Sequence, residues 1–496
     1  MKTFKYISEI CLSLILFFFI NSCEIEPEIF DKISPENYPK TEEDLSAAVT
    51  SIYYELEQGW APHNFDDSHL MLNILTTDEL TTAWGHRWQS NNEFLFLENS
   101  SQVTINYEKY IQAITIATLL LESFDNVEID NKELVERYTA EVRTLRAFFA
   151  FSLFDLYGPV PIITDPSQVA DIKNLPRMER PTREWMINFI ESELLWCADR
   201  LPARRYNNDS DYGRVTAGAA LTILLKLYMQ EKLWEKAEPI TTRIMEMGYE
   251  INPNYVKVFD ITNENYNNKE LIFSVVQLAD PPSMGHTWFA CVLPQVPAMR
   301  TDMPITVWGG LKVPWAFYDK FDSTDTRKTN LIRYYHEKNT DTIVDFRTQV
   351  THYKAIGANP LKYSFDPAQN GDTQGNDLIV YRYADILLSR AEVLNELYGP
   401  TKEAIDLINQ IRIRAHVSEI NLTDFDKDSL RNFLLDERGR ELWCEGVRRQ
   451  DLLRHGKFIS TAVAEGYAAE EKHKLFPIPQ DAREENPLLQ QNPGWN

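Results

Sequence analysis

Two pairs of amphipathic helices, each joined by a very short link, constrain the fold of this chain more than any other feature. Apolar residues recur at helical spacing over residues 214–247 and again over residues 381–415. Only residues 230–233 separate the first two helices, and Gly399-Pro400 separates the second two, so each pair must fold back on itself. The apolar positions are Ala220, Ile223, Leu224, Leu227, Trp234, Ala237, Ile240 and Ile244, then Ala384, Leu387, Leu388, Ala391, Leu394, Ala404, Ile408, Ile411 and Ala415.

Helical hairpins of roughly 34 residues resemble tetratricopeptide repeats, whose apolar stripes are buried only when neighbouring hairpins stack. Further stretches of the chain have the same helical periodicity, enough for about four hairpins in total. They are residues 42–57, 106–124, 133–157, 182–200 and 427–453. The pattern therefore predicts a mainly α protein with a tetratricopeptide-like body.

Residues 250–375 depart from this pattern. They are rich in Pro, Gly, Asn and Asp and contain short β-like runs such as residues 271–276, with no long helical stripe. This composition predicts a loop-rich insertion with a few short strands, packed on the helical body. Residues 60–100 look similarly irregular. Because binding residues concentrate on loops held by a rigid scaffold, we expect the binding site in these two segments.

The length and the net charge limit how the chain can be divided into domains and which classes of partner it can bind. At 496 residues it exceeds the roughly 250–300 residues of a single compact core, so either two domains or one solenoid-like body with an insertion is expected. The helical periodicity favours the second arrangement. The net charge of −24, from 50 basic and 74 acidic residues, argues against nucleic acid and against charge-driven binding to anionic lipid.

The first 22 residues have the pattern of a secretory signal. Lys2 and Lys5 precede an apolar run, residues 10–20, that is too short to span a bilayer. The run ends in Ser22-Cys23, which resembles the bacterial lipobox. That resemblance implies cleavage before Cys23 and attachment of acyl chains to Cys23, whereas the alternative is plain secretion with a chance cysteine.

Residues 23–40 follow as an acidic tether that begins with Glu24, Glu26 and Glu28. Lipoproteins that Bacteroidetes export to the cell surface carry a similar acidic patch. A solvated, disordered tether would have the same composition, and the two interpretations are compatible. The folded body is expected over residues 41–496, with the insertion at about residues 250–375.

No motif for catalysis or for metal binding is present in the sequence. There is no HExxH, GxSxG or GxGxxG motif, and Cys197, Cys291 and Cys444 form neither a disulfide framework nor a zinc pattern. We therefore expect no enzyme activity and no cofactor. Two possibilities stay open, namely a glycosidase with dispersed carboxylates and a Ca²⁺ site among the Asp and Asn of the insertion.

Eight segments lie in order along the chain: residues 140–149, 156–161, 382–388, 391–396, 437–442, 445–454, 476–479 and 491–495. The most distinctive are residues 437–442 (ERGREL) and residues 445–454 (EGVRRQDLLR). Together they resemble the SusD/RagB family of outer-membrane nutrient-binding lipoproteins. With the lipobox, these segments are distributed over nearly the whole length of the chain.

The resemblance implies a right-handed superhelical, tetratricopeptide-like body and no enzyme activity. It also implies a lipid-anchored protein on the outer face of the outer membrane, which captures polysaccharide or oligosaccharide for a SusC-like TonB-dependent transporter. The helical face is the expected docking surface for that partner. Within the family, the alternative is capture of peptides by the same architecture. Outside the family, the alternatives are a surface glycosidase and a scaffold without a ligand.

Charged residues in the most distinctive segments are expected to be structural. Glu445 precedes Arg449 by four positions and Asp451 precedes Arg454 by three, spacings that allow ion pairs on one helix face. Exposed pairs of this kind contribute only a few tenths of a kcal/mol, whereas buried ones could determine helix register.

Aromatic residues in the irregular segments are the candidates for ligand contact. A sugar presents an apolar C–H face and a rim of hydroxyls, which calls for an exposed ring beside amide or charged groups. Residues 83–93 place Trp84 and Trp88 beside Arg87 and Asn91 in such a polar stretch. The insertion offers Trp288, Trp308 and Trp315, whereas core packing is expected for the tryptophans on predicted helices, which are Trp185, Trp196, Trp234 and Trp443.

Overall fold

The computed structural model describes residues 39–60, 68–85, 87–125, 127–169, 176–204, 211–265, 267–293, 306–336, 341–349 and 355–495. Within these ranges the long helices are α1 (Glu42–Trp60), α4 (Ser101–Asp125), α5 (Lys132–Tyr157), α6 (Arg183–Ala198), α7 (Ala217–Gln230), α8 (Trp234–Met245), α12 (Tyr383–Tyr398), α13 (Lys402–Arg414) and α14 (Lys427–Leu442). The short helices are α2 (His69–Leu75), α3 (Arg87–Asn92), α9 (Tyr255–Val258), α10 (Trp288–Val292), α11 (Trp315–Tyr318), α15 (Arg448–Arg454), α16 (Phe458–Ala464) and α17 (Gln480–Glu485). The predicted mainly α class is confirmed.

The long helices pack in chain order. α4 packs on α1 and α5, then α6 on α5, α7 on α6, α8 on α7, α12 on α8 and α13 on α12. In the first short link, Lys232 adopts a positive φ of 57° in the turn from α7 to α8, and the amide of Glu231 donates to the carbonyl oxygen of Leu227 at 3.0 Å. In the second, Gly399 has φ 78° and Thr401 caps α13. Both predicted hairpins are present.

The strands lie between α2 and α12. They are β1 (Thr81–Thr82), β2 (Leu271–Val275), β3 (Leu311–Pro314), β4 (Leu331–Ile332), β5 (Tyr334–His336), β6 (Ile343–Asp345), β7 (Gly357–Pro360) and β8 (Leu378–Arg382). One antiparallel sheet has the order β1-β3-β7-β4, β2 pairs with β8, and β5 pairs with β6. Since β1 comes from the N-terminal irregular segment, this sheet joins that segment to the insertion.

Two details differ from the sequence-based expectation. Residues 427–453 form two helices, not one, because Cys444 and Gly446 adopt positive φ values of 56° and 76°. At Gly446 an added Cβ would lie 2.9 Å from a methyl carbon of Leu70, so α2 approaches the break closely. Trp185 was expected in the core, yet it is 40% exposed on α6, with its ring parallel to that of Phe189.

Buried ion pairs hold the helical body to the insertion. Arg382, at the end of β8, donates to Glu270 (2.8 Å), Glu441 and Glu445 (2.7 Å). Burial alone would raise the pKa of Glu441, but Arg414, Arg382 and Arg327 lower it to about 2. These charges are almost fully buried, so each depends on its partners.

Of the two ion pairs predicted within residues 445–454, one is present and one is not. Asp451 and Arg454 do pair, at 2.8 Å and in a buried position. Glu445 and Arg449 do not, because Glu445 accepts from Arg382 and Arg449 pairs with Asp155 of α5 at 2.9 Å. The segment therefore links distant helices, which a spacing rule for one helix could not reveal.

Candidate functional site

The pairing of β1 with β3 brings the N-terminal segment against the insertion. Thr81 lies opposite Lys312 and Thr82 opposite Leu311. One residue further, the amide of Ala83 donates to the carbonyl oxygen of Gly310 at 2.8 Å. The chain then turns, and the amide of Trp84 donates to the hydroxyl of Thr82 at 3.0 Å. As a result Trp84 is placed directly beside Gly310.

The indole of Trp84 lies against the backbone of Gly310. A Cβ added at Gly310 would be only 1.9 Å from Cε2 of Trp84, so no side chain fits there. Trp88, on α3, meets Trp84 edge to face, with ring centroids 4.9 Å apart and planes inclined by 62°. Both indoles are partly exposed. We call Trp84, Trp88 and Gly310 the tryptophan platform.

The backbone beneath the platform is fixed by a buried lysine. Nζ of Lys312 donates to the carbonyl oxygen of Gly309 at 3.1 Å and to the side-chain oxygen of Asn359 on β7. Lys312 is fully buried. A charged donor on the Gly309 carbonyl restrains the glycine pair from which the platform is built.

Trp308 lies at the edge of the platform. Its amide and that of Gly309 both donate to the carbonyl oxygen of Ala290 in α10, at 2.7 and 3.0 Å. Gly310 comes two positions after Trp308, so their Cα atoms are at most about 7 Å apart. The indole of Trp308 is partly exposed. The structure thus brings three of the five candidate tryptophans, Trp84, Trp88 and Trp308, to one region.

Trp288 and Asn91 were expected to contact ligand, and their burial corrects that expectation. Trp288 is 1% exposed in α10 and packs edge to face on Tyr363. Asn91 is fully buried, and its side-chain oxygen accepts from Nε2 of Gln102 at 3.0 Å. Sequence reasoning placed both in loops, but each lies on a short helix whose inner side faces the core. The side chain of Arg87 and the whole of Cys23 lie outside the described residues.

Trp315 is partly exposed but stands apart from the platform. It follows β3, at the end opposite Gly310, which puts it about 15 Å away along the strand. Its indole nitrogen donates to the carbonyl oxygen of Ala355 at 2.9 Å, and the guanidinium of Arg347 covers its ring at 5.2 Å. No described contact connects Trp315 with the other candidates.

Asn92, the neighbour of Asn91, has a positioning function. Its Nδ2 donates to the carbonyl oxygen of Leu75 at 2.9 Å, while its Oδ1 accepts from the hydroxyls of Thr81 and Tyr467, each at 3.0 Å. These bonds tie α3, and therefore Trp88, to α2, β1 and the C-terminal region. Like Lys312, Asn92 helps to hold the platform in place.

The acidic residues before β1 are buried and differ in charge. Burial alone would raise the pKa of Asp78, but Arg448 and Lys320, at 2.8 and 2.9 Å, hold it well below its usual range. Burial raises the pKa of its neighbour Glu79 to about 8, despite Arg448. Glu79 is therefore mostly protonated, and so uncharged, at neutral pH.

The described residues contain no group of three His, Cys, Asp or Glu side chains arranged to hold a metal ion. In the insertion, Glu264 lies near the carboxylates of Asp377 and Asp366. Burial and the nearby carboxylate of Asp377 raise the pKa of Glu264 to about 9, so Glu264 holds a proton. No helix among the described residues is both long and apolar enough to cross a bilayer.

Sequence reasoning did not single out Gly310 or Lys312 as site residues. The consecutive glycines at 309 and 310, directly after an exposed tryptophan, were the available signal, because a glycine pair permits close approach of another group. What the sequence could not supply was the partner, since Trp84 lies more than two hundred residues earlier.

Two family models match the chain and together span most of it. The model described as "SusD family" matches residues 269–495, and the model described as "Starch-binding associating with outer membrane" matches residues 30–229. SusD-like protein P38 of Formosa agariphila is 26% identical over an alignment that covers 99% of both chains.

Solved structures share the fold. A SusD homolog from Bacteroides thetaiotaomicron superposes with a TM-score of 0.79 at 23% identity, covering 93% of this chain and 98% of its own. Surface glycan-binding protein A from the same species, solved in complex with laminarihexaose, gives a TM-score of 0.71 at 21% identity, covering 91% of this chain and 100% of its own.

Proposed function

This chain belongs to the SusD family, and we propose that it binds a polysaccharide or oligosaccharide on the tryptophan platform. The observation that carries the proposal is the placement of Trp84 on Gly310, with Trp88 edge-on and Trp308 alongside. A solvent-accessible indole held on a rigid backbone can stack on the C–H face of a sugar with little loss of side-chain entropy on binding. Laminarihexaose in the glycan-binding structural relative adds support.

The protein acts in this proposal as a binder and not as an enzyme. It passes its ligand to a SusC-like TonB-dependent transporter, and it is held at the outer face of the outer membrane by acyl chains on Cys23. The family description "associating with outer membrane" and the lipobox-like Ser22-Cys23 support the location. Two or more acyl chains give stable anchoring, which a single chain does not.

Affinity electrophoresis tests the binding proposal. Wild-type protein would be run through gels that contain laminarin, soluble starch, xylan, arabinan or polygalacturonate. We expect at least one glycan to retard it, and Trp84→Ala and Trp88→Ala each to weaken that retardation about tenfold or more, since stacking by one ring contributes about 1–1.5 kcal/mol or more. The glycans would be analysed afterwards for shortened chains.

Trp315→Ala is the matched control, because Trp315 is also partly exposed but lies away from the platform. It should be retarded like the wild type, and all three variants should keep a similar melting temperature. Retention by Trp84→Ala and Trp88→Ala equal to that of the wild type would overturn the site. Shortened glycans would point to a glycosidase, and failure of every glycan would favour a peptide ligand or a scaffold.

The anchor is tested separately by fractionation. In cells of the native host, Cys23→Ser should move the protein from the membrane pellet to the soluble fraction, because no thioether-linked lipid can form. Trp84→Ala should stay in the pellet. Recovery of Cys23→Ser in the membrane fraction at the wild-type level would contradict lipidation at this residue.

A further inference from the structure

A second element of the insertion, the turn Asn370–Thr373, lies beside Trp308. The amide of Asn370 donates to the carbonyl oxygen of Thr373 at 2.9 Å, and the reverse bond is 3.0 Å. Gly371, the first central residue, has φ 63°, whereas Asp372 has no positive φ, as in a type II′ hairpin turn. The turn is therefore a compact element of defined geometry.

The turn and Trp308 are fastened to the same helix. Directly after the turn, Gln374 forms a two-way backbone pair with His286, and its side-chain oxygen accepts from the amide of Phe289 in α10 at 2.7 Å. The Ala290 carbonyl of α10 in turn holds the amides of Trp308 and Gly309. The tip makes a direct contact as well, since the carbonyl oxygen of Gly371 accepts from the amide of Thr306 at 3.2 Å.

These bonds place the tip of the turn next to the edge of the platform. Thr306 lies two residues before Trp308, so their Cα atoms are at most about 7 Å apart. Asn370, Gly371 and Thr306 are exposed, and Trp308 is partly exposed. A Cβ added at Gly371 would meet no atom of the described residues within 4 Å, so these residues leave space over the tip. A ligand lying on Trp308 can occupy that space.

Most polar groups around the turn are already used by the fold. Asp366 accepts from the amides of Ala368 and Gly375, and Gln369 donates to the carbonyl oxygen of Gly371. Asp372 is different, because among the described residues only one of its oxygens accepts a hydrogen bond, from the hydroxyl of Thr373 at 3.3 Å. The side-chain amide of Asn370 makes no hydrogen bond with the described residues. Asn370 and Asp372 thus keep donors and acceptors available to solvent.

We propose that Asn370 and Asp372 are specificity-determining residues that hydrogen-bond the hydroxyl groups of a glycan stacked on Trp308 and the tryptophan platform. This inference rests on the proposed glycan-binding function. Stacking accepts many sugars because every pyranose has an apolar face, so discrimination needs polar groups at a fixed position beside the ring. An amide supplies both a donor and an acceptor, and a carboxylate supplies acceptors for hydroxyl donors.

The test measures the affinity of four proteins for the glycan that most strongly retards the wild type in the five-glycan panel. Asn370→Ala and Asp372→Ala should each weaken binding about tenfold, as expected for the loss of one or two hydrogen bonds to a ligand. Asp372→Asn retains an acceptor oxygen and should weaken binding to a neutral glycan less than about threefold. None of these changes alters Gly371, so the melting temperatures should match that of the wild type.

Asn188→Ala is the control, because Asn188 is an exposed asparagine on α6, which packs on α5 and α7 in the helical body. It should bind like the wild type. If Trp84→Ala abolishes retention while Asn370→Ala and Asp372→Ala bind normally, the assignment of the turn is overturned and the platform stands. If no glycan retards the wild type, both the proposed function and this assignment fall.

Discussion

At the scale of single residues, the absence of a side chain at position 310 determines where Trp84 can lie. The indole occupies the volume in which any other residue would place its Cβ. Trp84 therefore rests on backbone atoms, which do not change rotamer, and its orientation is set by the β1–β3 pairing and the Thr82 hydroxyl. A stacking surface of this kind is preorganised before any ligand arrives.

Gly310→Ala should therefore weaken glycan binding about tenfold or more, because a methyl group 1.9 Å from an indole carbon must displace the ring. Affinity electrophoresis or calorimetry would measure the change. Gly85→Ala is the matched control in the same segment, since among the described residues its added Cβ would meet only Oε1 of Gln89, at 3.9 Å. Wild-type affinity in folded Gly310→Ala protein would show that the contact does not position Trp84 for binding.

At the scale of elements, helices were easier to predict than contacts between distant segments. The hairpins α7–α8 and α12–α13 follow from apolar residues at helical spacing and from local turn residues such as Gly399, all within about 35 residues. The sheet β1-β3-β7-β4 could not be predicted from the sequence, because strands of two to four residues carry almost no periodic signal. The same limit applied to the site, where Trp84 and Trp308 were identified as candidates but the role of Gly310 was not.

The buried charges between β8 and α14 offer a test of how these elements are held together. Arg382→Met should lower the free energy of unfolding by about 3–5 kcal/mol, because Glu270, Glu441 and Glu445 would lose a buried counter-charge. Urea denaturation would measure it. Lys402→Met, which removes an exposed pair with Asp406, should cost less than about 1 kcal/mol. Equal effects of the two changes would contradict a structural role for the buried cluster.

At the scale of the whole molecule, three carboxyl groups with raised pKa values make the folded protein less stable as the pH becomes alkaline. Burial raises the pKa of Glu57 to about 7 and that of Glu79 to about 8, and burial with Asp377 raises that of Glu264 to about 9. In the unfolded chain these groups ionise near pH 4.5. At these three groups the folded protein thus binds more protons than the unfolded chain, and their contribution to stability is fully present below about pH 4.5 and is lost as pH rises through 7–9.

Each of these carboxyls, while it stays protonated in the folded protein, lowers the free energy of unfolding by about 1.4 kcal/mol per pH unit above the unfolded pKa. Glu79→Gln should therefore make the decline between pH 7 and pH 8 shallower by about 1 kcal/mol, as followed by urea denaturation at several pH values. The exposed Glu246→Gln should keep the wild-type slope. A parallel decline in wild type and Glu79→Gln would show that Glu79 does not titrate between these states.

The pairing of β1 with β3 also sets an order in time. Gly310 is synthesised 226 residues after Trp84, which at about 5–20 residues per second means a delay of roughly 10–45 s. Helices α4 to α8 can stack as soon as each neighbouring helix has been synthesised. Trp84, in contrast, cannot pack on Gly310 until β3 has been synthesised. The tryptophan platform is thus completed only after helices α4 to α8 have been synthesised, and a chain released before β3 would lack it.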